Sequence, residues 1–104
     1  MVVIVFRSRL RPGVENEIAE TGRRMYELAS SMPGFVSYKD FVAEDGENVS
    51  IVEFESLETL AAWRDHVEHK VVQQQGRDTF FTEYRIQVCT PIRVSEFVWT
   101  GAKG

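Results

Sequence analysis

Residues 50–70 read SIVEFESLETLAAWRDHVEHK, and this stretch contains the clearest change of pattern in the chain. Its first six residues suit a β-strand, and Ser56 can accept a backbone N–H at the start of a helix. The predicted helix ends near Gly76, which we expect at the C′ position. Its inward stripe is expected to comprise Leu60, Trp63 or Arg64, Val67 and Val71.

Both histidines of the chain, His66 and His69, fall in this predicted helix, within two turns of Trp63. Continuous helical geometry would place His66 close to Trp63 and would turn His69 toward solvent. We therefore expect any chemistry performed by side chains to centre on this helix.

The rest of the chain supplies one helix and three strands. A Val- and Ile-rich segment at 2–10 predicts the first strand, and apolar residues spaced by three and four predict a helix that ends near Met32. Pro33 and Gly34 should stop that helix. Two strands at 35–43 and 48–55 flank Asp45-Gly46, a strong hairpin signal. A last strand is predicted at about 84–94, with Tyr84, Ile86, Val88 and Ile92 on one face.

The predicted order β-α-β-β-α-β indicates an α+β, ferredoxin-like fold, with an antiparallel sheet and both helices on one face. We expect a single domain over 1–104, with its core in 2–94 and a tail over 95–104. Several strands carry apolar residues on both faces, whereas a sheet with one solvated face should alternate. The second face is therefore predicted to pack, sheet to sheet, against a second copy in a homodimer.

Composition excludes several classes of protein. The 104 residues are 43% hydrophobic and 27% charged, which is ordinary for a globular domain, and the net charge of −4 argues against a nucleic-acid partner. No apolar run approaches the ~20 residues that span a bilayer, so no membrane partner is expected. The single cysteine, Cys89, cannot form an internal disulfide. These features together predict a cytoplasmic protein.

Three features of the chain resemble the antibiotic biosynthesis monooxygenase domain family. They are the element order, the stretch Met32-Pro33-Gly34-Phe35 before the hairpin, and the passage from Glu53 to Glu58. Trp63, His66, His69, Gly76-Arg77 and Tyr84 add to the resemblance. It implies a dimeric α+β barrel with a pocket between helices and sheet in each protomer. Family members include cofactor-free monooxygenases of polyketide quinols and haem-degrading monooxygenases, and many others have no assigned activity.

The resemblance also shows which positions of this chain correspond to the active-site residues of the haem-degrading members. Those members pair an asparagine on the first strand with a tryptophan and a haem-ligating histidine on the second helix. The corresponding positions here hold Phe6, Trp63 and Gln73. One position of three matches.

Each candidate residue has a structural alternative. Trp63 is either a pocket wall or a core residue, and His66 is either a catalytic base or a packed side chain. Arg7 and Arg9 either pair across the dimer contact with acids such as Glu53 or Glu55 or hold an anionic substrate group. The remaining candidate ligand contacts are Phe6, Tyr38 and Tyr84, although half-buried tyrosines on strands usually only pack. Cys89 is interpreted as structural.

The leading hypothesis is a small monooxygenase with His66 as its base and Trp63 as its pocket wall. No phosphate loop, flavin fingerprint or metal-ligand set is recognisable, so no cofactor and no metal are expected. The substrate would be an aromatic or quinol-type molecule, or haem itself. The alternative is a non-catalytic module that binds a hydrophobic small molecule. An oxygenase would need a cavity of roughly 300 Å³ or more that reaches Trp63 and His66, whereas a filled interior would favour the module.

Overall fold

The computed structural model describes residues 1–101, apart from the side chain of Val67. Four strands form one antiparallel sheet in the order β2-β3-β1-β4, and three helices complete the chain. The elements are β1 (Val2–Leu10), α1 (Glu15–Ser31), β2 (Phe35–Val42), β3 (Asn48–Phe54), α2 (Leu57–Arg64), α3 (Val67–Gln75) and β4 (Phe81–Cys89). The predicted α+β, ferredoxin-like class is confirmed, with three helices instead of two.

Helix α1 follows the expected pattern. Glu15 and Glu17 lie in its first turn, where the helix dipole favours acids, and its inward face buries Met25, Leu28 and Ala29. The chain turns out of the helix at Gly34, which has a φ of 81° that L-residues rarely adopt. The predicted stop at Pro33-Gly34 is confirmed.

The core lies between the helices and one face of the sheet. Val2 and Ile4 on β1 stand opposite Phe54 and Val52 on β3, and all four side chains are buried. Ile4 is also opposite Val88 on β4. On the helical side, the buried residues are Met25, Leu28, Ala29, Leu60 and Trp63.

The outer face of the sheet carries no helix. Val3, Val5 and Ile51 are half-buried there, and the side chain of Phe41 is 50% exposed. Apolar residues therefore stand on both faces of the sheet, as the sequence pattern indicated.

The predicted second helix is broken in two, which corrects the sequence interpretation. Helix α2 begins as expected, because Ser56 and Thr59 form a reciprocal capping box. It ends at Arg64, and His66 adopts an extended conformation with φ −61° and ψ 139°. The imidazole of His66 then caps α3, since its Nδ1 accepts the backbone N–H of Glu68 at 3.2 Å. The inward stripe continues through Val72, while Val71 is exposed. Val67, also expected in that stripe, has a side chain outside the described part.

The C-terminal part also departs from expectation. Gly76 does not take a positive φ but has φ −58°, and it opens a π-helical turn over Gly76–Phe80. A Cβ at Gly76 would lie 2.8 Å from the ring of Phe81, so close packing explains this glycine. Strand β4 begins at Phe81 and ends at Cys89, not at 94, and Ile92 is fully exposed. Of the predicted tail, residues 102–104 lie outside the described residues.

Candidate functional site

A cavity of about 290 Å³ opens between the helices and the inner face of the sheet. Apolar side chains make up most of its wall, including Ile4, Phe6, Ile18, Met25, Val72 and Phe81. Its polar side chains are those of Thr21, Tyr38, Ser50, Trp63, Arg64, His69, Gln73, Arg77 and Tyr84. An apolar cleft with a few polar groups is typical of small-molecule sites, and this volume is near the lower end of their range.

Trp63 lies at the centre of an aromatic cluster on one wall. Its ring stacks on His69 at a centroid distance of 4.0 Å and an interplanar angle of 14°, and on Phe54 at 5.5 Å. The edge of Tyr38 contacts it at 6.4 Å. Trp63 is buried in the core and also lines the cavity, so the two locations that the sequence offered as alternatives do not exclude each other. Its buried N–H has no hydrogen-bond acceptor among the described residues.

His69 is held in one tautomer. Its Nδ1 lies 3.2 Å from the backbone carbonyl oxygen of Trp63. Because a carbonyl can only accept, Nδ1 carries the proton, and Nε2 keeps its lone pair. Burial lowers the pKa of His69 below its ordinary value, and nearby His66 lowers it further, against the raising effect of the backbone hydrogen bonds. His69 is therefore neutral at pH 7 and can accept a proton.

The structure exchanges the expected positions of the two histidines. His66 is absent from the described lining of the cavity, because its imidazole is committed to the start of α3. His69, expected in solvent, is half-buried against Trp63. Because the chain is extended at His66, α3 does not continue the helical spacing of α2, and His69 stacks on Trp63. A sequence signal existed, since His69, Gln73 and Arg77 are spaced by four residues and all three line the cavity.

Tyr38 forms a second polar point in the cavity. Burial, helped by the negative charge of Asp40, raises the pKa of Tyr38 to about 12, so the phenol stays protonated. The hydroxyl of Ser50, which also lines the cavity, donates to Oδ1 of Asp40 at 2.5 Å. A protonated phenol that lines an apolar cavity can donate a hydrogen bond to a ligand oxygen.

Phe6 on β1 and Tyr84 on β4 are diagonal neighbours, because the register pairs Phe6 with Ile86 and Ser8 with Tyr84. Their rings lie 5.7 Å apart, and Phe81, which the sequence did not single out, contacts both rings. All three line the cavity. Phe6 and Tyr84 are thus brought together with Tyr38, Trp63 and His69 in one space.

Arg7 is not brought into this cavity. It lies on the outer face of the sheet, where its guanidinium forms an ion pair with the carboxylate of Glu47 at 3.1 Å. Arg9 on the same face pairs with Asp45 and Glu83. Within the described chain, the acids that pair with these two arginines are thus Glu47, Asp45 and Glu83, whereas the pairing expected with Glu53 or Glu55 was across a dimer contact. Glu53 instead accepts a hydrogen bond from Ser37 at 2.6 Å.

Comparisons with known proteins agree with this fold. The sequence profile of the family described as antibiotic biosynthesis monooxygenase matches residues 1–75, a range that contains Trp63 and His69. The chain belongs to this family. The uncharacterized protein YqjZ of Bacillus subtilis (strain 168) is 30% identical over 69 residues, which are 66% of this chain and 60% of that protein. The chain thus aligns with less than two thirds of that relative's length.

Two solved structures share the fold. Rv0793 from Mycobacterium tuberculosis superposes with a TM-score of 0.81 at 19% identity, over 91% of this chain and 98% of its own. SnoaB, a cofactor-independent oxygenase from Streptomyces nogalater, gives a TM-score of 0.75 at 16% identity, over 89% and 94%. Identities this low establish similarity of fold alone.

Two absences concern the residues that the structure describes. Among them, no group of three or more His, Cys, Asp or Glu side chains lies close enough to hold a metal ion. In the same range, no helix has the length and apolar character needed to cross a membrane.

Proposed function

We propose that this protein is a monooxygenase that oxidises a small, electron-rich aromatic molecule without a cofactor. The observation that carries the proposal is the stacked pair of Trp63 and His69 in the wall of an apolar cavity, with Nε2 of His69 unprotonated. Trp63 and the rings around it supply an apolar aromatic wall, and His69 supplies a base. His69 takes the role that the sequence had suggested for His66.

The chemistry requires only the substrate, dioxygen and a base. Nε2 of His69 removes the O–H proton of a phenol or quinol, which leaves an electron-rich anion. The anion transfers one electron to dioxygen, and the resulting radical and superoxide combine to form a C–O bond. The peroxide anion takes back the proton held by His69, and the resulting hydroperoxide loses water to give a quinone, so one oxygen atom enters the product and the other leaves as water. The apolar cavity limits competing reactions with solvent.

Two features support this assignment over a passive binding module. The chain belongs to a family described as monooxygenases, and one structural neighbour is described as a cofactor-independent oxygenase. The cavity is open and not filled by side chains; at about 290 Å³ it is just below the size that the sequence argument required, and it reaches Trp63 and His69 instead of His66.

Haem is the less favoured substrate. The positions that hold asparagine and a haem-ligating histidine in haem-degrading relatives are Phe6 and Gln73, and both line this cavity. Neither side chain can replace the one it stands for, because phenylalanine donates no hydrogen bond and an amide is a poor iron ligand. A cavity of about 290 Å³ also fits a small fused ring better than a tetrapyrrole.

Oxygen uptake tests the proposal. Purified protein is added to 1,4-dihydroxynaphthalene in air-saturated buffer, and consumption is compared with the uncatalysed rate. General-base catalysis contributes about 10²–10⁴-fold, so His69→Leu should lose at least about 100-fold. The matched control is His66→Asn, which removes a histidine outside the cavity but keeps a side-chain acceptor for the start of α3, and it should retain the rate.

The outcomes separate the alternatives. If His69→Leu and the wild type consume oxygen equally fast, His69 is not the base. If the wild type binds aromatic probes but accelerates no oxidation across a panel of quinols, the protein is a binding module. A parallel titration with hemin should give no saturable shift of the Soret band, and a saturable shift at one haem per protomer would restore the haem hypothesis.

We also propose that the protein is a homodimer packed through the outer face of the sheet. Val5 and Ile51 pair at the middle of that face, and Phe97 and Trp99 are 85% and 76% exposed. Apolar surface of this extent on a small domain favours a protein contact. Light scattering at micromolar concentration should give twice the chain mass of 12.0 kDa. A monomer under those conditions would contradict the proposal.

A further inference from the structure

The cavity has a charge opposite to that of the chain as a whole. The chain carries 16 Asp and Glu residues against 12 Lys and Arg residues. Among the described residues, however, the cavity wall includes Arg64 and Arg77 and no Asp or Glu. An apolar cavity with cationic side chains and no carboxylate favours a negatively charged ligand, because opposite charges attract.

The two arginines differ in how much of their charge is compensated. Nε of Arg64 pairs with Oδ1 of Asp65 at 3.2 Å, so this guanidinium already has a carboxylate. Within residues 1–101, Arg77 has no carboxylate oxygen within 4.0 Å, and its Nη1 donates to the hydroxyl of Tyr84 at 3.2 Å. The adjacent acid, Asp78, accepts a hydrogen bond from Gln74 instead. Arg77 is therefore the cavity cation whose charge is free to bind an anion.

Arg77 is also held in place by the fold. It lies in the π-helical turn Gly76–Phe80, and Arg11 anchors the backbone of this region through three hydrogen bonds. Nη2 of Arg11 donates to the carbonyl of Arg77 at 2.8 Å, while its Nη1 and Nε donate to the carbonyls of Asp78 and Phe81 at 2.8 and 3.0 Å. A guanidinium has five N–H donors, so Arg77 keeps enough of them for bidentate binding of a carboxylate.

Aromatic side chains surround the position where such an anion would sit. The hydroxyl of Tyr84 accepts the hydrogen bond from Arg77, and the ring of Tyr84 contacts the rings of Phe6 and Phe81. The stacked pair of Trp63 and His69 forms another part of the cavity wall. Arg77 and Tyr84 are both solvent-exposed in part, so this end is the mouth of the cavity.

We propose that the cavity selects a planar aromatic acid, whose carboxylate is bound by Arg77 at the mouth while its ring lies among the aromatic side chains inside. The inference rests on the proposed role of the cavity as an aromatic site and narrows its ligand class to anions. Arg77 is then the residue that determines specificity, and it takes the anion-binding role that the sequence offered for Arg7.

Calorimetric titration with two probes of the same shape tests the inference. The probes are 2-naphthoate and the neutral 2-naphthamide. Hydrogen bonds to charged groups favour the anion by about 10-fold or more in Kd, and added salt should reduce this preference. Arg77→Gln should remove the preference, and Arg77→Lys should keep part of it. The matched control is Arg23→Gln, which removes an exposed arginine of α1 outside the cavity and should keep the full preference.

Each outcome has a distinct meaning. Equal affinity of the wild type for both probes would overturn anion selection and leave the aromatic site intact. A preference that survives in Arg77→Gln, with circular dichroism showing an unchanged fold, would overturn the role of Arg77. If neither probe binds to the wild type, both the inference and the proposed use of the cavity fail. Loss of the preference in Arg77→Gln alone supports the inference.

Discussion

Gly34→Ala should destabilise the protein by much more than a change of one methyl group suggests. A Cβ at Gly34 would lie 2.5–2.6 Å from three side-chain atoms of Thr59. Rotation of Thr59 moves its two γ atoms, but its Cβ is fixed to the backbone of α2 and cannot move away. Thr59 is also half of the capping box with Ser56, so any shift of Thr59 disturbs the start of the helix that carries Trp63.

The magnitude follows from three contributions. A φ of 81° costs an alanine about 1–2 kcal/mol, part of which is offset by the lower entropy of the unfolded chain. Loss of the cap costs about 1 kcal/mol, and overpacking adds about 1–3 kcal/mol. The free energy of unfolding should therefore fall by about 3–5 kcal/mol, which is a large part of the stability of a small domain.

A matched control separates steric overlap from backbone strain. Gly46 has a similar φ of 89°, and its Cβ would meet nothing within 4 Å, so Gly46→Ala should cost only about 1 kcal/mol. Urea unfolding followed by far-ultraviolet circular dichroism measures both variants at one fixed protein concentration. If Gly34→Ala costs no more than Gly46→Ala, the contact with Thr59 is not important. In a Thr59→Gly background, Gly34→Ala should cost no more than the control, and a persistent excess would also contradict the reasoning.

Three further predictions concern the site and its supports. Because burial lowers the pKa of His69 below 6.5, His69 is protonated in the unfolded chain at a higher pH than in the folded protein. The free energy of unfolding should therefore fall as the pH drops from about 6.5 toward the pKa of the folded protein. Urea midpoints of His69→Leu should lack this pH dependence. The absorbance of tyrosinate should contain a step near pH 12 that Tyr38→Phe removes, and a step that survives would refute the assignment to Tyr38. Ser56→Ala should cost about 1 kcal/mol in urea unfolding through loss of the cap on α2, and an unchanged midpoint would show that the cap adds no stability.

The fold was accessible from sequence because its signals are local. Pro33-Gly34, Asp45-Gly46 and Ser56 each act on backbone groups within a few residues, so turn chemistry and capping can be recognised without knowledge of distant contacts. Alternation on β1 and the helical spacing in α1 then determine which faces are apolar. These features sufficed to predict the element order and the class of fold.

The site was less accessible because it depends on a local exception. Nothing in the helical pattern required α2 to end at Arg64, since Asp65 and His66 are tolerated in helix interiors. In the folded chain, His66 is extended and its side chain caps α3. The helix is therefore interrupted, and His69 stacks on Trp63. The sequence correctly grouped Trp63 with two histidines on one segment, but the structure places His69, and not His66, against Trp63 in the cavity wall.

By itself, then, the sequence determined the α+β order, the turns and the segment that carries the site, because those follow from interactions between near neighbours. Only the tertiary structure decided which histidine faces the cavity and which arginine lies at its mouth. Arg77 takes its place because Arg11, distant in sequence, anchors the backbone of its turn, and because Tyr84 on β4 binds its guanidinium. Such contacts depend on the packing of remote segments, which no local pattern of residues encodes.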